Sequence, residues 1–364
     1  MIVPFINEVP LGGAVTAAPR PVVALPAVAS EAFQSTFTKY FEQHYGLRAL
    51  ATRIDNSLSY WVFAEAPPDK MVRVGTNGVL YLDDQIAYYN SRYEPDAAPV
   101  AAKFRRAHNL LRARGKVLVV MLLPTKTNVW PEDVPGAWRG GAPVQLKQRI
   151  TDAYVDALAK AGVLCVDGRK AVASLPREAI YAKTGRHLAA PASCLILSDA
   201  IDLARPLLEA TVPPIDCSYR MDDNVSLDAE EFDLFKLLNA WTPRPTIAVP
   251  VTAPTKELTA RDRRADAMVL GSSFGWKFVH EAERTNALRH IYFHYYLSTL
   301  VDRDGGPHRV VPLRTKEWQD IVDATALFLA PVPEEFLVND AEPFLDAIIA
   351  TLDVASQPPP SVMP

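Results

Sequence analysis

Apolar and aromatic residues recur at three- and four-residue steps across residues 32–63 (Phe33, Phe37, Tyr40, Phe41, Leu47, Leu50, Ile54, Leu58, Trp61), a helical period interrupted near Gly46. Residues 72–82 read instead as two short strands about Asn77-Gly78, a dipeptide that accepts positive φ at small cost. A polar helix over 98–114 ends at Gly115 and leads into the run 117–123, Val-Leu-Val-Val-Met-Leu-Leu, which is apolar on both faces. Such a strand belongs in the middle of a covered parallel sheet. The same order repeats: helix 145–161, Gly162, apolar 163–166, then helix 190–209. A third buried strand, 267–270, ends at Gly271-Ser272-Ser273 and is followed by a helical pattern over 276–288. Strands at 291–296 and 325–329 and a closing helix over 341–352 complete the series. Helices alternating with buried strands predict a three-layer α/β/α fold with a mostly parallel central sheet, the runs 117–123, 163–166, 267–270 and 325–329 sharing it. The first helix and the hairpin are expected to pack on it as an N-terminal addition.

Composition narrows the function classes. The chain has 364 residues, 49% apolar and 22% charged, enough to bury a sizeable core, and a net charge of -4 that lacks the basic footprint of a nucleic-acid binder. No run of about 18 apolar residues occurs; the best attempt, 11–29, is broken by Pro19, Arg20, Pro21 and Pro26. The first residues do not form a secretory signal, so an exported protein would have its targeting segment missing here. The 31 prolines gather at both ends and over 213–254. Because proline fixes its own torsion and lacks a donor, these stretches read as arms and loops. The expected organisation is a proline-rich arm (1–31), one domain (32–352) and a disordered tail (353–364). Cys165 lies inside an apolar run and reads as a core thiol, whereas Cys194 and Cys217 could pair in an oxidising compartment; their spacing leaves that open.

In α/β sheets ligands sit beyond the carboxyl ends of the strands, which directs attention to the loops there. Met268-Val-Leu-Gly-Ser-Ser-Phe274 is a strand running through glycine and two serines into a helix. A serine at such a helix start presents its hydroxyl beside unpaired amides that could stabilise an oxyanion, although serine also caps helices without doing chemistry. Lys126 and Asn128, after the central strand, could donate to a substrate oxygen or serve their own loop, and Tyr295 could stack on a sugar ring or pack. His44 reads as structural, and His108, His280, His290 and His308 form no ligand-spaced set with carboxylates, so neither a metal nor another cofactor is expected. Arg261, Arg263 and Arg264 read as a solvated turn that an acidic polysaccharide would find attractive.

Four blocks, in order, carry a resemblance. Phe41-Glu-Gln-His-Tyr-Gly-Leu-Arg48, Val72-Arg-Val-Gly-Thr-Asn-Gly-Val-Leu-Tyr81, the strand leading to Pro124-Thr-Lys126 with Trp130-Pro-Glu-Asp-Val-Pro135 after it, and Gly271-Ser-Ser-Phe274 resemble the alginate O-acetyltransferase family of SGNH-hydrolase-like periplasmic proteins. The resemblance covers roughly residues 32–339. It implies an SGNH-like fold and an O-acetyltransferase or acetylesterase that acts on an exported cell-surface polysaccharide through an acyl-serine. It also implies a periplasmic or cell-envelope location and a membrane partner that supplies acetyl groups.

By the same resemblance Ser273 would be the nucleophile and His187 the base, with Gly271, Ser272, Lys126, Asn128 and Tyr295 around substrate or oxyanion. The family's base follows a Tyr-x-Lys-Thr lead and belongs to an Asp-Thr-His-Trp motif. Here Tyr181-Ala-Lys-Thr-Gly-Arg-His-Leu188 places Gly185 where the aspartate should be and Leu188 where the tryptophan should be. An acid orients the imidazole and stabilises the imidazolium, so its loss leaves two readings: an active site with a substitute acid, for which Asp199 and Asp167 are the neighbours in sequence, or a degenerate polysaccharide-binding or assembly protein. Arg186 would lower the imidazole's proton affinity if the two approached. On this reading Gly185→Asp would raise activity in an enzyme that had only lost its acid.

Overall fold

The computed structural model describes residues 11–12, 18–23, 28–44, 47–67, 71–140, 144–224, 230–241, 247–251, 264–296, 299–303, 309–312, 315–337, 346 and 349. The helices are α1 (Glu31–His44), α2 (Arg48–Phe63), α3 (Asp83–Asn90), α4 (Ala97–Arg112), α5 (Lys126–Val129), α6 (Val144–Lys160), α7 (Gly168–Ala171), α8 (Arg177–Ile180), α9 (Ala190–Ala204), α10 (Asp233–Leu238), α11 (Gly275–Thr285) and α12 (Lys316–Ala324). The strands are β1 (Val72–Val74), β2 (Leu80–Leu82), β3 (Val117–Leu123), β4 (Leu164–Asp167), β5 (Tyr219–Asp222), β6 (Ile247–Pro250), β7 (Asp266–Gly271), β8 (His290–Tyr295), β9 (Thr299–Arg303), β10 (Arg309–Val311) and β11 (Leu327–Pro333).

The central sheet runs β10-β9-β8-β7-β11-β3-β4, parallel from β8 to β4, with β9 and β10 antiparallel at one edge. All four expected runs lie in it. The whole of β3 is buried because consecutive side chains face opposite layers. Val117, Val119, Met121 and Leu123 join Ile196, Leu197 and Ile201 of α9 and Phe278 and Val279 of α11. Leu118, Val120 and Leu122 join Phe104 of α4, Ile150 and Tyr154 of α6 and Trp318 of α12. Each such Val or Leu side chain withdrawn from water contributes about 1.5–3 kcal/mol, which is why a run apolar on both faces seats itself mid-sheet. Gly115 (φ +69°) and Gly162 (φ +70°) turn the chain out of α4 and α6 into the next strands in a conformation other residues resist. The hairpin turns as expected, with Asn77 and Gly78 both at positive φ.

Several expectations need correction. The strand expected at 325–329 is Leu327–Pro333, and the Thr325 hydroxyl instead donates back to the Ile321 carbonyl of α12. β9 and β10 had no distinct signal in a stretch rich in Asp, Arg and Gly. The 32–63 period does not pack as a core-facing helix: α1 buries no side chain and α2 only Asn56, so Phe37, Phe41, Ile54, Leu58 and Trp61 are exposed. Periodicity reports that a helix has an apolar face, not what covers that face. Cys165, expected inside the core, is half-buried on edge strand β4 and packs against the core cluster of Leu118, Val120 and Leu122, and burial together with Asp167 pushes its pKa up to about 12. Cys194 of α9 and Cys217 form a disulfide, with their Cα atoms 5.5 Å apart. Most of the expected helix 341–352, the arm 1–10, Gly46, Arg261, Arg263, His308 and the tail 353–364 lie outside the described residues.

Candidate active site

The carboxyl ends of β3, β7 and β11 open onto one edge of the sheet. Chain leaving β7 passes through Ser272, Ser273 and Phe274 into α11, a turn closed by the Gly275 and Trp276 amides donating to the Ser272 and Ser273 carbonyls at 2.9 and 3.2 Å. Ser273 thus stands at the positive end of an eleven-residue helix. The Ser273 hydroxyl lies 3.0 Å from His187 Nε2, and His187 Nδ1 lies 2.6 Å from Oδ2 of Asp233. A carboxylate can only accept, so Nδ1 carries the proton and Nε2 is left to accept from serine. The structure therefore brings Ser273 and His187 together and gives the imidazole an acid.

That acid is neither of the neighbours considered. Asp167 caps α7 and pairs with Arg169 at 2.8 Å, and Asp199 is exposed on α9. Asp233 begins α10, in a segment laid over the His187 loop: the Phe235 amide donates to the Thr184 carbonyl, and the Thr184 hydroxyl donates to the Glu231 carbonyl at 2.8 Å. Gly185 makes this approach possible. A Cβ there would stand 2.9 Å from the Glu231 carbonyl oxygen, against backbone that cannot give way easily. The residue that looks like a lost acid is the space through which another acid arrives. Oδ1 of Asp233 accepts from the Arg186 and Leu234 amides at 2.7 and 2.6 Å. Burial works to raise the Asp233 carboxyl, but the hydrogen bond and charge of His187, with those two amides, outweigh it and hold its pKa below the ordinary value.

Nothing in the sequence marked Asp233, which falls in the proline-rich stretch 213–254 that reads as loop; its place at the start of α10, a position at which aspartate is ordinary, is seen only in the fold. Lys277 of α11 reaches back to this segment, its ammonium 2.9 Å from buried Glu231. The Arg186 guanidinium pairs with Asp84 at 2.8 Å and lies over the Phe274 ring, 5.7 Å from its centroid, and that ring packs edge-on against His187 with centroids 4.8 Å apart. Leu188, in the family's tryptophan position, is buried in the core.

The remaining candidates divide. Lys126 does not face a substrate: it is fully buried and donates to the Lys183 and Gly185 carbonyls at 2.8 and 2.7 Å, tying down the loop that carries His187. Burial lowers its pKa to about 7, against the opposing pull of Asp233. Asn128 gives its amide nitrogen to Glu334 Oε2 at 2.7 Å, so it serves the loop rather than an oxyanion. Gly271 lies in register with Tyr295 on β8, and the Ser272 hydroxyl is buried without a protein partner beside Ser273. Glu335, after β11, is buried, and burial pushes its pKa to about 7 against the opposing pull of Arg186. Among the described residues no group of three or more His, Cys, Asp or Glu side chains is arranged to hold a metal ion.

Residues 72–210 match the SGNH hydrolase-like domain of the acetyltransferase AlgX family. The AlgX-like segment includes His187 but ends before Asp233 and Ser273. Solved structures to which the chain is similar include the O-acetyltransferase domain of Pseudomonas putida AlgJ, at 14% identity and TM-score 0.46, over 77% of this chain and 99% of that one. Pseudomonas aeruginosa AlgX follows at 14% identity and TM-score 0.47, over 74% and 67% of the two chains. Bacillus cereus PatB1 is similar at 12% identity and TM-score 0.45, over 70% and 94%. Among curated proteins, none matches the chain.

Proposed function

We propose that this chain is an O-acetyltransferase, with acetylesterase activity when water replaces the acceptor, that modifies an exported cell-surface polysaccharide through an acetyl-Ser273 intermediate. The observation that carries the reading is the continuous relay Ser273, His187, Asp233 at 3.0 and 2.6 Å. Ser273 Oγ attacks the donor's acetyl carbonyl while His187 Nε2 takes its proton, and Asp233 stabilises the imidazolium. The Ser272 hydroxyl, buried beside Ser273 without a protein partner, is a donor available to the oxyanion, whereas the Gly275 and Trp276 amides are already engaged in the turn. Collapse expels the donor's leaving group, which receives the proton from His187. A sugar hydroxyl then attacks acetyl-Ser273, its proton passing to His187, and serine is regenerated as the ester forms.

The AlgX-like match supports the acetyl group, and the disulfide is in keeping with an oxidising compartment such as the periplasm. A membrane protein is the expected source of acetyl groups, and no nucleic-acid partner is expected. The case for a degenerate site rested on the missing acid, which Asp233 supplies. The test is labelling of Ser273 by a fluorophosphonate and burst hydrolysis of p-nitrophenyl acetate, both expected to disappear in Ser273→Ala, together with transfer of acetyl to glycan followed by mass spectrometry. An intact, folded protein that shows neither labelling nor a burst overturns the reading.

A further inference from the structure

Beside Ser273 lies an aromatic cluster that the relay does not use. Trp276 is on the first turn of α11, its amide bonded to the Ser273 carbonyl, and its ring meets that of Tyr295 at 6.0 Å and stands edge-on to Phe293 at 4.8 Å. Tyr295 pairs in register with Gly271, and Tyr296 follows with its ring 4.6 Å from that of Tyr295. The Tyr296 amide donates to the Gly271 carbonyl at 2.9 Å, which fixes this residue against the end of β7, two residues from Ser273. The base of the cluster is rigid: Phe293 is fully buried and packs against Gly275, where a Cβ would stand 2.4 Å from its ring.

Tyr296 is the telling member. Its φ is +42°, a conformation that costs a bulky L-residue free energy, yet 54% of the residue is exposed, so burial does not recover that cost. Strain held at an exposed aromatic beside a candidate nucleophile points to a ligand. A pyranose ring has an apolar face of C–H groups that stacks on an aromatic ring, and hydroxyls at its edge that phenol groups can bond.

We propose that Tyr295 and Tyr296, backed by Trp276, whose own ring is stacked on His280 with centroids 5.8 Å apart, form the stacking subsite for a pyranose ring of the glycan that receives the acetyl group, setting specificity for hexose polymers. The proposal rests on the acyl-transfer reading above, and its test separates the two. Isothermal titration with cellohexaose and with a mannuronate hexamer is expected to show binding of at least one, weakened fivefold or more by Tyr296→Ala. Tyr296→Gly should lose the same affinity while its melting temperature rises, because glycine adopts this φ freely. The glycan is also expected to quench indole fluorescence, with the change absent in Trp276→Phe. Equal affinity in wild type and both Tyr296 variants, or no binding of either hexamer by the wild type, overturns the subsite. Fluorophosphonate labelling of wild-type Ser273 reports independently on the relay: labelling without a glycan effect refutes the subsite alone, and a glycan effect without labelling refutes the acyl-transfer reading alone.

Discussion

Two histidine–aspartate pairs stand at opposite ends of the same pair of strands. His187 and Asp233 meet at 2.6 Å beside the carboxyl end of β7, and His290 and Asp302 meet at 2.6 Å at the start of β8, where His290 is in register with Asp266. Five strand steps, roughly 17 Å, separate the two ends. Burial pushes both carboxyls upward, and hydrogen bonds outweigh it in each, so both pKa values lie below the ordinary value. The partners differ in kind. Asp302 shares its charge with Arg309 at 2.8 Å, while Asp233 is held by backbone amides as well as by the imidazole, and so keeps its charge for the ring. Position differs too, because only the carboxyl edge offers a helix start and a serine within reach of the second ring nitrogen. A His–Asp pair is therefore a common structural device, and the edge of the sheet decides whether it can act.

The sharpest way to break this comparison is to neutralise each carboxylate in turn. Asp233→Asn should lower p-nitrophenyl acetate hydrolysis by about 10⁴-fold, the size of the loss when an orienting aspartate becomes its amide. Asp302→Asn should change it by less than about twofold while lowering the melting temperature through the loss of a partner for His290 and Arg309. Equal losses in the two variants would show that the two pairs do not differ in the way described.

Gly185→Asp tests where the acid comes from. The sequence alone favoured a gain from restoring the family residue, whereas the structure reverses the sign. The new side chain must displace the Glu231 backbone and with it Asp233, so activity should fall tenfold or more, with overpacking costing about 1–3 kcal/mol of stability. A more active, equally stable variant would show that the Asp233 segment does not occupy that space.

Smaller effects appear against pH. Because the folded Asp233 pKa is lowered, its contribution to stability is present above the unfolded carboxyl pKa of about 3.9 and is lost as pH falls through the folded value. The melting-temperature deficit of Asp233→Asn should therefore be full at pH 6 and shrink below about pH 4; a deficit independent of pH would contradict this. Glu335 has the opposite sign. Its folded pKa is raised to about 7, so the folded state holds a proton that the unfolded state releases, and stability declines as pH climbs from about 4.3 toward 7. Glu335→Gln should flatten that decline, as measured by melting at pH 5 and pH 8. An unchanged slope would place the titration elsewhere.

Much of this molecule was legible along the chain because the information is local. The runs at 117–123 and 267–270 are apolar on both faces and can be satisfied only between two layers, so the parallel sheet follows from them directly. The serine at the start of the helix after β7 was legible in its strand–glycine–serine pattern, whereas His187, and the role of Ser273, came only from the family resemblance of their blocks. Three things were decided only in three dimensions. The apolar faces of α1 and α2 carry a helical period whether or not anything covers them. Lys126 reads as a free cation until its burial under the 183–185 carbonyls is seen. Asp233 lies 46 positions from His187, and its role depends on a segment crossing the loop where Gly185 leaves room. A sequence records which side chains exist and how neighbours alternate; which carboxylate meets an imidazole depends on the path of the chain between them, and only the packed backbone sets that path.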